Sequence, residues 1–145
     1  MARSSFVYVT FIRTTPDKLW SALTTSEFIK QYWFGCNIET DWKQGSPWKL
    51  IYPDGRLTDF GEILEIDPPK RLVLKWRNEF RLELAAEGVA RCSIELEPHG
   101  AAVKLTINHS IERADSKFIE AVSGGWPRIL SNLKSLLETG QVLLT

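Results

Sequence analysis

Two side chains in this sequence could carry chemistry, and they sit in a chain unusually rich in rings. His109 falls in phase with Leu105 and Ile107 in the run from Val103 to Ile111, so it points inward. A neutral imidazole there can orient a carbonyl or hydroxyl, or act as acid or base. It can equally be a core histidine satisfied by a hydrogen bond. Glu62 alternates with Phe60 and Leu64. A carboxylate buried on that face would have a raised pKa and could serve as a base. Gly61 beside it could instead mark a bulge that turns it outward, sparing the cost of an unpaired buried charge. The third feature is the set of large rings Trp33, Phe34, Trp48, Tyr52, Phe60, Trp76 and Trp126. Six tryptophans and seven phenylalanines stand against one methionine. Such rings fill cores, and they also line pockets for flat or greasy ligands.

Other chemistries lack their residues. There is no phosphate-cradling glycine loop and no cluster of His, Cys or carboxylate with metal-ligand spacing, so neither a cofactor nor a metal is expected. No serine or cysteine nucleophile stands beside a plausible histidine. Cys36 and Cys92 are too few for a disulfide framework, and a reduced, cytosolic protein is expected. Cys92 reads as a small buried apolar residue among Ile94 and Leu96, and His99 lies in a turn. Eighteen basic residues balance eighteen acidic ones, which argues against nucleic acid as a partner. The basic run Lys70, Arg71, Lys75, Arg77 and Arg81 is interleaved with Glu79 and Glu83, as on a solvated sheet face. No apolar run approaches the ~20 residues of a membrane span.

The elements that must position these residues follow from periodicity. The 145 residues suit one domain, 1–145, with a real core. Residues 3–13 alternate as a strand with Phe6, Tyr8, Thr10 and Ile12 on one face and Val7, Val9 and Phe11 on the other. Thr15-Pro16-Asp17 opens a helix with Leu19, Trp20 and Leu23 buried, and Ser26 caps a second short helix through Tyr32. From 36 to 111 the pattern is β. A turn falls at Pro53-Asp54-Gly55-Arg56 and a strand over about 57–66 ends at Pro68-Pro69. Residues 79–90 read mostly as loop. A 3.6-residue period then marks a long amphipathic helix over about 116–138. Its Ile129, Leu130, Leu133 and Leu137 should be buried, and Arg128, Asn132 and Ser135 exposed. A kink is expected at Ser123–Pro127, and Gly140 should end the helix. A twisted antiparallel sheet curling around that helix leaves space between them, a natural ligand cavity.

Four stretches carry a family resemblance: PDKLWSALT at 16–24, GEILEIDPPKRL at 61–72, LTINHS at 105–110 and GWPRILSNLKSLLETG at 125–140. Together they resemble the START-like (SRPBCC, polyketide cyclase-like) superfamily. The subgroup they look like is named after the activator of the heat-shock protein 90 ATPase. The resemblance implies an α+β helix-grip (START-like, Bet v 1-like) fold. A strongly curved antiparallel sheet would grip one long C-terminal helix, with two short helices after the first strand. It implies a cavity lined by Trp33, Phe34, Trp48, Tyr52, Phe60, Trp76, His109, Trp126 and Leu130, holding a hydrophobic or aromatic small molecule. The alternatives it leaves open are a cyclase or hydratase working in the same cavity through His109 or Glu62, and a co-chaperone-like module that binds a chaperone. The apolar face Val7, Val9, Phe11 must be covered by the short helices or by a second copy, and a weak homodimer is the favoured reading.

Overall fold

The computed structural model describes residues 2–145. Strand β1 (Ser4–Ile12) leads into two short helices, α1 (Pro16–Thr24) and α2 (Ser26–Tyr32). Thr15 starts α1: its Oγ1 accepts from the Lys18 amide at 3.3 Å, and Pro16 fills the first helical position, where no N–H is needed. Strands β2 (Asn37–Thr40), β3 (Pro47–Ile51), β4 (Leu57–Asp67), β5 (Arg71–Asn78), β6 (Ala90–His99) and β7 (Ala102–Ile111) follow. A single helical turn, α3 (Leu82–Ala85), lies inside the stretch 79–90 that the sequence left mostly as loop, and α4 (Lys117–Thr139) closes the fold. The seven strands form one curved sheet in the order β1-β7-β6-β5-β4-β3-β2, every neighbouring pair antiparallel. This is the helix-grip architecture.

The inner face is continuous from strand to strand. Val103, Leu105, Ile107, His109 and Ile111 of β7 and Cys92, Ile94 and Leu96 of β6 are buried, as their alternation predicts. Trp126, Leu130 and Leu133 of α4 lie in the same core. Ile129 and Leu137, expected inside, are only half-buried at the flanks of that stripe. On β1 the inner face is Phe6, Tyr8, Thr10 and Ile12. Val7, Val9 and Phe11 remain 55%, 44% and 44% exposed, since neither short helix folds over them.

Two expectations need correction. The first is the phase of β4. Asp59 pairs with Asn78, Gly61 with Trp76 and Ile63 with Leu74, and these face inward together. Phe60, opposite Arg77, and Glu62, opposite Lys75, therefore lie on the outer face, and Glu62 is exposed. Gly61 is no bulge. It is where the Trp48 indole crosses β4 to donate to the Lys75 carbonyl at 3.0 Å. A Cβ at Gly61 would fall 1.7 Å from that carbonyl oxygen and 2.9 Å from Trp48 Nε1. The bulge comes later, between Ile63 and Glu65.

The second is Asn132, which is fully buried rather than exposed. Its Oδ1 accepts from the Leu143 and Leu144 amides at 3.0 and 2.6 Å, and its Nδ2 donates to the Leu144 carbonyl at 3.0 Å. The chain after Gly140 folds back on the helix, so an apparent solvent position becomes a clamp. Asn132→Ala should lower stability by about 1–3 kcal/mol, the cost of unpaired buried backbone groups. Hydrogen exchange should show the Leu143 and Leu144 amides losing protection, and unchanged protection would refute the clamp.

Candidate functional site

A cavity of about 340 Å³ opens between α4 and the β3–β5 part of the sheet. Leu50 of β3, Tyr52 after it, Thr58 and Asp59 of β4, and Trp76 and Asn78 of β5 form the sheet wall. Phe118, Ala121, Val122, Gly125, Trp126, Arg128 and Ile129 form the helix wall. Phe80, Arg81 and Leu84 close one side, and Trp33, Phe34 and Cys36 close the other. Phe34 (φ +52°) and Gly35 (φ +85°) turn the chain sharply after α2. Only glycine adopts such a backbone freely, so the strain at Phe34 is held by its setting. Its ring sits at the mouth, with the Arg128 guanidinium 5.1 Å above its centroid.

Of the residues expected to line the site, Trp33, Phe34, Tyr52, Trp76 and Trp126 come together around this cavity. Trp33 meets Trp126 edge-on at 5.4 Å and stacks on Trp76 at 6.5 Å, while Trp76 meets Trp126 at 5.9 Å. Trp48 and Leu130 lie behind this indole layer, around a void of about 20 Å³. Phe60 is on the far side of the sheet, by the phase of β4. His109 lines neither space; it is fully buried against Trp76, Phe118 and Trp126.

His109 is held by one bond. Trp126 Nε1 donates to its Nδ1 at 3.1 Å. Nδ1 is thus the acceptor of a neutral ring whose proton sits on Nε2, and Nε2 has no partner. Burial pushes its pKa down to about 3. Neither His109 nor the outward Glu62 can act on a molecule in the cavity.

The polar end of the cavity was missed. Asp59 is 8% exposed and its Oδ1 accepts from Asn78 Nδ2 at 2.6 Å. Asn78 is itself fixed, its Oδ1 accepting from the Arg81 amide at 2.9 Å. Burial pushes the Asp59 carboxyl up to about 6, against the opposing pull of the Trp76, Asn78 and Thr58 side chains. The Trp76 indole lies near enough to favour the charged carboxylate, yet its Nε1 completes no hydrogen bond of ordinary geometry. The Cys36 thiol and the Tyr52 phenol are raised too, first by burial and then by their acidic neighbours, Asp59 among them. The signal for Asp59 was present in the sequence: shifting β4 by one residue puts a carboxylate, not a phenylalanine, on the inner face.

Among the described residues no group of three or more His, Cys, Asp or Glu could hold a metal, and no helix is long and apolar enough to cross a membrane. Both cysteines are buried free thiols.

A curved antiparallel sheet gripping a long C-terminal helix, with a cavity between them, defines a START-like, SRPBCC-type domain. Residues 13–138 match the family described as Activator of Hsp90 ATPase homolog 1-like protein, and the chain belongs to that family. Solved structures agree on the fold. The protein MLL2253 from Mesorhizobium loti superposes with a TM-score of 0.81 at 21% identity, over 96% of this chain and 100% of that one. The Aha1 dimer from Colwellia psychrerythraea gives 0.76 at 21% identity, over 94% and 98%. PFC0360w, an HSP90 activator from Plasmodium falciparum, gives 0.74 at 23% identity, over 92% and 95%. A search among curated proteins found no match.

The two buried titrating groups pull stability in opposite directions with pH. Folded Asp59 keeps its proton up to about pH 6, whereas an unfolded aspartate loses it near 3.8. Folding therefore takes up a proton between these values, and the Asp59 contribution is lost as pH rises through them. Folded His109 stays neutral down to about pH 3, whereas the unfolded ring protonates near 6.5. Its contribution is complete above 6.5 and lost as pH falls. In urea titrations, Asp59→Asn should gain on the wild type as pH rises from 4 to 7, by on the order of 3 kcal/mol. His109→Gln should gain on it as pH falls over the same range. Parallel pH curves for the wild type and both variants would contradict this account.

Proposed function

We propose that this protein binds a flat, mainly apolar small molecule between the sheet and α4. The observation that carries the reading is how the cavity is kept open. Ala121 and Gly125 are the smallest residues on the helix wall, and no atom of another element lies within 4 Å of a Cβ built on Gly125. Glycine inside a helix costs about 1 kcal/mol relative to alanine. Here it leaves room opposite the rings of Trp33, Trp76 and Trp126. The volume lies within the ~300–1,000 Å³ of ligand pockets. An enzymatic use of the same space would draw on Asp59, Cys36 or Tyr52, which line it, and not on Glu62 or His109, which do not reach it.

Naphthalene is a suitable first probe, read by tryptophan fluorescence and amide NMR shifts. The expected result is saturable binding that Gly125→Leu weakens at least about tenfold, a loss of ~1.4 kcal/mol. Leucine is also the better helix former, so the variant should stay folded. Undiminished binding to Gly125→Leu would place the ligand elsewhere.

A second reading rests on the exposed strip Val7, Val9 and Phe11 along the outer face of β1, an edge strand. Monomers cover such faces with a partner. A second copy is one candidate, in keeping with the dimer described for the Colwellia psychrerythraea protein. An Hsp90-type chaperone is the other, in keeping with the family's name. Sedimentation over a hundred-fold dilution, repeated with Phe11→Lys, should show a dimer that the substitution dissolves. A monomer throughout, together with Hsp90 ATP turnover that the protein leaves unchanged, would remove both candidates.

A further inference from the structure

Asp59 is the one acidic side chain lining the cavity, and it is buried there without a counterion. No arginine, lysine or histidine pairs with it among the described residues. Buried carboxylates are normally paired. Burial opposes its ionisation, and the neutral side chains of Trp76, Asn78 and Thr58 favour it. Asn78 donates to Oδ1 at 2.6 Å and has no carbonyl to offer in return, because its own Oδ1 accepts from the Arg81 amide at 2.9 Å. A protonated carboxyl needs an acceptor, and this setting supplies mainly donors. The surroundings therefore suit a carboxylate and leave its charge uncompensated. Its second oxygen accepts no hydrogen bond of ordinary geometry and is not sealed away as the Trp76 N–H is.

The rings show the same division between mouth and interior. At the mouth they already carry cations: the Arg56 guanidinium lies over Tyr52 and Phe80 at 5.1 and 5.0 Å, and Arg128 lies over Phe34. Inside, no guanidinium or ammonium of the described residues lies over Trp33, Trp76 or Trp126, although tryptophan is the ring that attracts a cation most strongly. An uncompensated carboxylate among indoles is a setting for a positive charge. An anion at that depth would meet the charge of Asp59, and a neutral hydroxyl would leave it uncompensated. The rim does not bar a cation. Arg81 is neutralised by Glu83 and Arg56 by Asp54, each at 2.7 Å, and Arg128 stands in solvent, where salt screens it.

Resting on the ligand-binding reading above, we infer that the cavity selects an arylalkyl amine in its protonated form, the ammonium inward at the Asp59 carboxylate and the flat body among Trp33, Trp76 and Trp126. The ammonium donates to the open Asp59 oxygen and supplies the counterion that the protein lacks there.

Calorimetric titration of the full chain at pH 7.5, where Asp59 is ionised and an alkylamine protonated, tests this with naphthalene, naphthylmethanol, naphthylmethylamine and naphthoate. Naphthylmethylamine should bind at least about tenfold more tightly than naphthylmethanol, which has its shape without its charge. Naphthoate should gain nothing over naphthalene. Asp59→Asn keeps the shape of the side chain and removes its charge, so the amine-to-alcohol affinity ratio should fall to about one. Should that variant fail to fold, the Asp59 carboxyl carbon resonance of the wild type decides: the amine should shift it, and an amine that leaves it unmoved overturns the assignment. The ratio should persist in high salt, as it does for a desolvated pair. A ratio that salt abolishes puts the ammonium on an exposed acid and overturns the inference. If naphthalene binds and the ratio is near one, if naphthoate is the tightest of the four, or if the ratio survives Asp59→Asn, the ammonium assignment is wrong and the ligand-binding reading stands. No binding of any of the four probes overturns both readings.

Discussion

The hydrogen bond from Trp126 to His109 decides where the solid core ends and the cavity begins. An imidazole buried on the inner face of β7 must find a partner, and the one donor it has among the described residues is the Trp126 indole of α4. That bond joins α4 to β7. With Trp126 held there, Trp33 and Trp76 close around it as a layer of indoles. Below the layer, Leu105, Ile107, Leu130 and Leu133 pack with no exposure above 1%. Above it, Ala121 and Gly125 face the sheet with too little bulk to fill the gap.

The cavity is therefore a local relaxation of the packing rules that the rest of the domain obeys. Interiors are normally close-packed, with polar groups paired. Here a helical glycine, a buried carboxyl and an indole N–H that completes no hydrogen bond of ordinary geometry sit within one lining. Each costs stability on its own.

Both ends of α4 are tied down, which makes the helix wall firm. At its start, Ser116 Oγ accepts from the Ile119 amide at 3.1 Å, and the Glu87 carboxylate takes the Lys117 and Phe118 amides at 2.8 and 3.2 Å. A carboxylate at a helix N-terminus is favoured by the unpaired amides and by the helix dipole. The Ser116 hydroxyl, which donates to Glu87, and these two amides hold its pKa below the ordinary value, against its partial burial. Glu87 also joins the α3 segment to α4, so the side of the cavity formed by Phe80, Arg81 and Leu84 is anchored to the helix it faces. At the other end, Asn132 binds the returning tail, and Gly140 stops the helix in a left-handed turn (φ +85°).

Much of this was legible in the sequence because the signals are local. Alternation marked the strands, a 3.6-residue period marked α4, and Thr15-Pro16 and Gly140 marked helix ends. Together they were enough for an antiparallel sheet with one long helix against it and for the aromatic character of the cavity, and the family resemblance supplied the helix-grip fold. What the sequence left open was phase and long-range contact. Phe60 and Asp59 are adjacent, and a strand that alternates across two faces puts one of them inward without saying which. The choice was made by Trp48, which needs the missing side chain of Gly61 to reach Lys75, and so sends Asp59 inward and Phe60 outward. Asn132 looked like a solvent position because the groups that surround it, the folded tail and the Tyr32 carbonyl of α2, come from elsewhere in the chain. His109 pointed inward as its phase required, but whether it met a ligand or an indole was set by how α4 lies on β7. Periodicity acts between neighbours in the chain, whereas these choices depend on residues 11 or more positions away, which only the tertiary structure brings into contact.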